Sequence, residues 1–228
     1  MINRNAMKKR ISLIAALMLV LASCQKKQEP VEVSPEEFHA SVDKVVEIMI
    51  HDIFSPPVAS RIFAYGNIAA YEVIAKKNDE YKSLAGQVTG LKNIPDPKNS
   101  ENINYEMAAL IAHMDISKRL IFSEERMESF RDSLYTIWKD KNETVFNASK
   151  EYGTEVANFV GDWMNKDNYK ETRTMPKFSV DSEDPSRWQP TPPAYMNGIE
   201  PHWEKIRPFA IDSAQQFKPI PPPEFSLE

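Results

Sequence analysis

The sequence contains few of the residues from which common catalytic sites and covalent cross-links are built. Its 228 residues include one cysteine, four histidines and six glycines. A single cysteine excludes an internal disulfide and a multi-cysteine metal site. The chain has no Gly-x-Ser-x-Gly motif and no glycine-rich phosphate-binding loop. Neither a serine-hydrolase elbow nor a nucleotide-binding loop is therefore predicted.

The first residues have the order of regions found in a cleaved export signal. Lys8-Lys9-Arg10 precedes an apolar run from Ile11 to Leu21, which is shorter than the roughly 20 residues of a membrane-spanning helix. Leu21-Ala22-Ser23-Cys24 follows directly and resembles the lipobox of bacterial lipoproteins. We therefore expect residues 1–23 to be a signal peptide and Cys24 to be lipidated, which leaves no free thiol. An ordinary secretory signal beside an unrelated cysteine is the alternative.

Location and charge together restrict the partners of the mature chain. Lipidation predicts a protein anchored in the bacterial cell envelope, facing the periplasm or the cell surface. Removing residues 1–23 takes away four basic residues and no acidic one, so the net charge changes from −5 to −9. Because nucleic-acid binding depends on clustered Lys and Arg, we predict a membrane contact through the lipid and no nucleic-acid partner.

Capping residues and apolar periodicity predict five helices between residues 34 and 165. Ser34 is the expected N-cap of the first, with Pro35 at the first helical position and Glu37 completing a capping box. The second is rich in small residues, so we expect it to be central, with Gly66 and Ala69 at close helix contacts. The predicted helices run from Ser34 to about His51, Ser55 to about Lys77, Tyr105 to Ile121, Ser123 (as N-cap) to about Lys141 and Glu143 to about Asn165.

The segments outside these helices differ in composition. Residues 24–33 form a short lipidated tether, and Asn78–Asn102 is a polar connection that we expect to be partly mobile or to hold a short helix around Tyr81–Leu84. From Pro176 onward lie eleven of the 17 prolines, together with many large apolar residues. A disordered tail would lack the latter. The sequence therefore predicts an all-α fold: a helical domain over residues 34–165, followed by a proline- and aromatic-rich extended arm over residues 166–228.

No cluster of side chains in the sequence is sufficient for catalysis. One Glu-x-x-His, of the kind that di-iron bundles use twice, occurs without a second copy. Three pairs that contain a histidine are assigned to helix capping, to ion pairs or to solvated surface. Three basic residues near the arm are assigned mainly to solvated or helix-terminal roles. The pairs are Glu36 with His39, Glu47 with His51, and His113 with Asp115, and the basic residues are Arg187, Lys205 and Arg207.

Two segments nevertheless resemble one family. Ser55–Glu72 is similar to the first core helix of bacterial vanadium-dependent haloperoxidases, which belong to the wider type 2 phosphatidic acid phosphatase superfamily. Trp188–Tyr195, Pro201-His202-Trp203 and Arg207-Pro208-Phe209 are similar to the proline–aromatic arm of those proteins. The resemblance covers about residues 35–225. It implies a vanadate or phosphate oxyanion as cofactor or substrate group of a full family member, and either peroxide-dependent halide oxidation or phosphate ester hydrolysis.

The catalytic residues of that family cannot be placed on this chain. Its oxyanion pocket uses a Lys with a downstream Arg-Pro, a Pro-Ser-Gly-His, and a Ser-Arg followed by His. Here Glu200 stands seven residues before Arg207-Pro208, and Asn67 stands seven residues after Ser60 of Ser60-Arg61. No Ser-Gly-His occurs. The sequence thus predicts no catalytic, cofactor-binding or metal-binding residue, and a chain that is inactive by itself.

Two hypotheses remain for its role. In the first, the chain is the N-terminal half of such an enzyme, and its arm leads to a missing catalytic half. In the second, it is a complete non-catalytic lipoprotein whose arm binds a protein partner. The first predicts that Trp188 and Trp203 are exposed or mobile without the other half.

Overall fold

A computed structural model describes residues 29–184, 186–221 and 223 of the chain. The chain divides into two units, Met1–Pro30 and Val31–Glu228, and all that follows concerns the second. The predicted signal peptide and Cys24 lie outside the described residues. Within the described part, no helix combines the length and apolar character needed to cross a bilayer.

The described part of the chain is helical and has no strand, which confirms the all-α prediction. Only an isolated bridge between Ala85 and Val88 has strand-like pairing there. The helices are α1 (Pro35–His51), α2 (Pro56–Lys77), α3 (Tyr105–Lys118), α4 (Glu124–Lys141), α5 (Glu143–Met164) and the short α6 (Tyr169–Thr172), and a 3-10 helix spans Trp203–Lys205.

Side chains at the helix starts explain most of these boundaries. The backbone N–H of Ser34 donates to the Glu37 carboxylate at 2.8 Å, which is the reciprocal bond of a capping box. Asn104 caps α3 by accepting from the N–H of Met107 at 2.8 Å. Ser123 is the N-cap residue of α4, as predicted, but its hydroxyl makes no capping bond and donates to Asp52 instead. Asp52 also accepts from the N–H of Ser123 at 3.0 Å, so the α3–α4 turn is fixed to the end of α1.

Helix α3, and not the predicted α2, occupies the centre of the bundle. It packs against α2 and α5, and ten of its 14 residues are buried. One side of α3 contributes Ala108, Ala112 and Ile116 to a core shared with α2 and α5. The other contributes Leu110 and Met114 to a core shared with α1 and α4. Burial on both sides is expected for a helix in which Met107–Ala112 is an unbroken apolar run.

Close contacts at small residues join α2 to α3. Ala69 is fully buried. A Cβ added at Gly66 would lie 2.7 Å from Ser117 Oγ and 3.2 Å from His113 Cδ2. The prediction of a close helix contact is therefore confirmed at Gly66, whereas at Ala69 the structure shows burial and the contact stays a prediction.

The connection between α2 and α3 forms turns and not the predicted helix at Tyr81–Leu84. The carboxylate of Glu72, buried on α2, accepts from Ser83 Oγ at 2.6 Å and from the N–H of Leu84 at 2.7 Å. Leu91 and Ile94 are buried in the core. These contacts fold the connection onto the bundle and prevent the backbone of this segment from forming helical hydrogen bonds.

Candidate functional site: the arm and its anchor

Four side chains attach the arm (residues 166–228) to the helical bundle, and we call them the arm anchor: Arg61, Tyr65, Asp167 and Arg207. Arg61 Nε donates to Asp167 Oδ2 at 2.7 Å, and the Tyr65 hydroxyl donates to the same oxygen at 2.9 Å. Arg207 Nη2 donates to the Tyr65 hydroxyl at 2.9 Å. Arg61, Tyr65 and Asp167 are buried. The anchor is thus a continuous network from helix α2 to the arm.

Two positive charges and one negative charge meet in this network. The guanidinium carbon of Arg61 lies 5.0 Å from the ring centroid of Tyr65 and 4.3 Å from that of Tyr169. That of Arg207 lies 4.3 Å from the ring of Trp163. Aromatic faces stabilise cations through their quadrupole. The rings therefore help to stabilise the second positive charge, which the single carboxylate of Asp167 does not neutralise. Burial, and secondarily the Asp167 carboxylate, raises the pKa of Tyr65, which therefore remains a hydrogen-bond donor.

The hydrogen bonds of the Arg207 guanidinium are made within the chain, to Tyr65 and Trp163. Besides Tyr65, its guanidinium donates to the carbonyl of Trp163 at 2.9 Å. Its backbone N–H donates to the carbonyl of Asp167 at 2.9 Å. Of the two roles favoured for this residue, the helix-terminal one is confirmed, because Trp163 lies in the last turn of α5. The solvated one was wrong, because Arg207 is half-buried and holds the arm on the bundle.

Phe209 completes the attachment two residues later. Its ring packs against Tyr65 and Trp163 at centroid distances of 5.2 and 5.7 Å. Its carbonyl accepts from the N–H of Thr89 at 2.8 Å, and Trp163 Nε1 donates to the carbonyl of Thr89 at 3.0 Å. The Arg-Pro-Phe segment therefore joins the arm to both the bundle and the α2–α3 connection.

Away from the anchor, the arm presents apolar side chains to solvent. A groove of about 600 Å³ runs along it. Phe178 and Trp188 form one wall, edge to face with ring centroids 5.7 Å apart. The remaining lining is mainly proline and aliphatic, including Pro192, Pro193, Met196, Ile199 and Pro201. Contiguous exposed apolar surface of this kind marks interaction sites in soluble proteins.

The two tryptophans of the arm differ in exposure. Trp188 is 50% exposed, in line with the expectation. Trp203 is half-buried and packs edge to face on Tyr169 with centroids 6.4 Å apart, so it is more sheltered than expected. The start of the arm is also tied down, since His202 Nε2 donates to the carbonyl of Pro176 at 2.7 Å. The exposed apolar surface of the arm is therefore found around Trp188 and not around Trp203.

The assignment of His113 to the surface or to an ion pair was wrong. Its side chain is buried between helices, where Nδ1 and Ser41 Oγ are joined by a hydrogen bond of 2.9 Å. The Phe38 ring lies 5.1 Å away. Burial lowers the pKa of His113 to about 4, so the imidazole is neutral at pH 7. Asp115 points elsewhere and accepts from Thr154 Oγ1 at 2.9 Å.

The other residues considered from sequence do not converge on one point. Glu36, His39 and His51 are exposed. Glu47 forms ion pairs with Lys44 and Arg126. Arg187 pairs with Asp184 at 3.2 Å, and Lys205 pairs with Glu204 at 3.0 Å. Among the described residues, no three His, Cys, Asp or Glu side chains are grouped as metal ligands would be.

The described residues do not fit a vanadate or phosphate group. Four cations, Lys118, Arg119, Arg131 and Lys150, line a groove between α3, α4 and α5, together with Asp115 and Glu124. Lys118 is paired with Glu128 at 2.8 Å, and Arg131 with Asp132 at 2.9 Å. Among the described residues, no histidine lines this groove, although the family implies one that bonds the central atom.

Comparison with solved structures identifies a relative. A crystal structure described as the first bacterial vanadium-dependent iodoperoxidase matches with a TM-score of 0.86 and 68% sequence identity. The match covers 89% of this chain and 49% of that chain, so this chain spans about half the length of the relative. No protein-family model and no curated protein matches the chain.

Proposed function

Because the chain belongs to the superfamily of vanadium-dependent haloperoxidases and type 2 phosphatidic acid phosphatases, we propose that it supplies the N-terminal helical half of a haloperoxidase-type enzyme. The similarity to an iodoperoxidase favours peroxide-dependent iodide oxidation over phosphate ester hydrolysis. The oxyanion pocket then lies in the half of the fold that this chain does not span. In this proposal the role of the chain is to hold that half in place.

The exposed apolar groove of the arm is the observation that supports this role. The arm anchor attaches the arm to the bundle at two points, Asp167 and Arg207. The part of the arm between these points carries the groove and has Trp188 and Met196 exposed. A preorganised apolar surface loses little conformational entropy on binding. It is suited to receive helices of a catalytic half.

The proposal is tested by binding. The partner is the part of the solved iodoperoxidase that this chain does not span, and association is measured by sedimentation velocity. We expect a complex with the wild-type chain and at least tenfold weaker association for Trp188→Asp, because the introduced charge would be desolvated in the interface. Phe122→Asp is the matched control, since Phe122 is exposed on the α3–α4 turn, outside the arm groove.

Each result of this experiment distinguishes between functions. Weak binding of Trp188→Asp beside normal binding of Phe122→Asp supports docking through the arm. Failure of the wild-type chain to bind contradicts the proposal and favours the second candidate, a non-catalytic envelope lipoprotein whose arm binds another protein. Equal weakening by both variants would show that the arm groove is not the interface.

We also propose that the chain is a lipoprotein, anchored in the cell envelope through Cys24. The supporting observation is the order of basic region, apolar run and Leu-Ala-Ser-Cys in the first 24 residues. Mass measurement of the N-terminal peptide of the mature protein tests this, since an acylated cysteine adds the mass of its lipid. A mature protein that begins elsewhere or carries no acyl group contradicts it.

A further inference from the structure

The methionine side chains in the described part of the chain differ sharply in exposure. Met196 is 67% exposed and lines the arm groove, whereas Met175 is half-buried. The others there are buried in the bundle, with 6% exposure or less: Met49, Met107, Met114, Met127 and Met164. Small solutes therefore reach the sulfur of Met196 far more readily than the sulfurs of the core.

The backbone on both sides of Met196 is held in an uncommon conformation. Tyr195 and Glu200 have positive φ angles of 46° and 47°, which residues other than glycine rarely adopt. The N–H of Tyr195 donates to the carbonyl of Thr191 at 3.0 Å, and the Glu200 carboxylate pairs with Arg173 at 2.5 Å. Such conformations persist only where the surrounding contacts hold them. The thioether of Met196 is therefore presented to solvent in a defined position.

The arm groove is suited to a thioether and not to a more polar group. Three of its eleven lining residues are prolines, which have no backbone N–H to donate. Most of the others are apolar, among them Trp188 and Ile199. A polar oxygen buried against such a lining costs free energy unless it is hydrogen-bonded. Docking through this groove therefore depends on its lining remaining apolar.

We propose that Met196 is a site of oxidation by hydrogen peroxide, and that its sulfoxide prevents docking of the catalytic half. The docking part of this inference rests on the proposed function. The thioether sulfur attacks one peroxide oxygen, so that an S–O bond forms, the O–O bond breaks and water leaves. Sulfur is oxidised by two electrons and the peroxide is reduced. The product is a polar side chain, which disrupts interfaces that contain methionine.

Docking and oxidation exclude each other in this arrangement. A docked catalytic half covers Met196 and shields it from peroxide, whereas the free chain exposes it. Peroxide is a substrate of the proposed reaction, so an excess of it acts on chains that are not assembled. Methionine sulfoxide is reduced again by sulfoxide reductases. The modification is therefore a reversible block on assembly.

The first test is peptide mass mapping of the purified chain after brief exposure to hydrogen peroxide. We expect Met196 to gain one oxygen roughly tenfold faster than Met127, because methionine oxidation follows exposure. Fragment spectra separate oxidation of Met196 from that of Trp188, which shares its tryptic peptide. In urea the two methionine rates should converge, and added catalytic half should slow the reaction at Met196. Equal rates at Met196 and Met127 in the folded chain overturn the inference.

The second test measures association with the half of the iodoperoxidase that this chain does not span, by sedimentation velocity. Only the chain is treated with peroxide, and catalase removes the excess before mixing. Each variant is compared with its own untreated form. We expect oxidation to weaken association roughly tenfold for wild type and for Met175→Leu, because a polar oxygen enters the interface. Met196→Leu should show no difference, and sulfoxide reductase should restore association of the oxidised wild type.

The outcomes separate this inference from the proposed function. Equal association before and after complete oxidation of Met196 overturns the inference and leaves the proposed function standing. A loss of association that Met196→Leu also shows, or that the reductase does not reverse, overturns the inference as well. An unchanged oxidation rate of Met196 in the assembled complex does the same. Failure of the untreated wild type to associate contradicts the proposed function and the control of docking together.

Discussion

Arg207 Nη2 donates a 2.9 Å hydrogen bond to the hydroxyl of Tyr65, which stands 142 residues earlier in the chain. Tyr65 in turn donates to Asp167 at 2.9 Å, and Asp167 pairs with Arg61 at 2.7 Å. Arg207 is thus connected through Tyr65 to the buried ion pair between Arg61 of helix α2 and Asp167. The arm is consequently part of the folded bundle at this point, although most of its apolar side chains face solvent.

Replacing Arg207 is expected to release this part of the arm. Arg207→Ala removes the bonds to Tyr65 and to the Trp163 carbonyl, and losing hydrogen bonds from a charged group costs about 2 kcal/mol. Chemical denaturation measures the loss, and limited trypsin digestion should cut the arm sooner. Arg187→Ala is the control, because Arg187 forms an exposed ion pair with Asp184, and such pairs contribute little. Equal stability of the two variants would contradict the anchoring role of Arg207.

The buried His113 predicts how stability depends on pH. Its pKa is about 4 in the folded protein and about 6.5 when unfolded. Between these values the unfolded chain binds more protons, so stability is complete above pH 6.5 and falls as the pH decreases toward 4, by roughly 3 kcal/mol. His113→Leu should flatten this part of the profile in urea denaturation, while the exposed His39→Leu should not. A profile unchanged by His113→Leu would contradict the assignment.

The close approach of α2 and α3 predicts intolerance of larger side chains at Ala69. This residue is fully buried, so Ala69→Leu should overpack the core and cost about 1–3 kcal/mol. The exposed Ala40→Leu on α1 provides the comparison. Thermal melting followed by circular dichroism measures both, and the melting temperature should fall only for Ala69→Leu. Equal melting temperatures would refute the contact.

Lipidation of Cys24 is tested in cells by fractionation. Cys24→Ala should move the protein from membranes to the soluble fraction, because the acyl groups suffice for stable attachment. Ser23→Ala, which keeps a small residue before the cysteine, is the control and should remain with membranes. An unchanged distribution of Cys24→Ala would contradict anchoring through the lipid.

Local signals in the sequence were sufficient for much of the fold. Ser34 with Glu37, and the periodicity of the following apolar residues, predicted α1 with its observed bounds. The resemblance carried by Ser55–Glu72 and the arm motifs is confirmed by the solved relative. These features depend on residues within a few turns of one another, which is why a single sequence reveals them.

The features that sequence reasoning missed depend on distant partners. Arg61 and Tyr65 meet Asp167 only after folding, across separations of 106 and 102 residues. A signal was present for Arg61, since a charge surrounded by small and apolar residues in its helix requires a partner. His113 was misassigned because its helix was expected to be amphipathic, whereas nine of the ten residues of Met107–Ile116 are buried. The helix predicted at Tyr81–Leu84 is absent, because the Glu72 carboxylate binds Ser83 and the N–H of Leu84.

The central claim is that this chain positions a catalytic half and carries no oxyanion pocket of its own. The direct measurement is vanadate-dependent oxidation of iodide by hydrogen peroxide, followed as triiodide absorbance. The assay uses the purified chain alone and then the chain mixed with the half of the iodoperoxidase that it does not span. We predict no turnover above background for the chain alone and vanadate-dependent turnover for the mixture, accompanied by a blue shift of Trp188 fluorescence. Vanadate-dependent turnover by the chain alone would contradict the account.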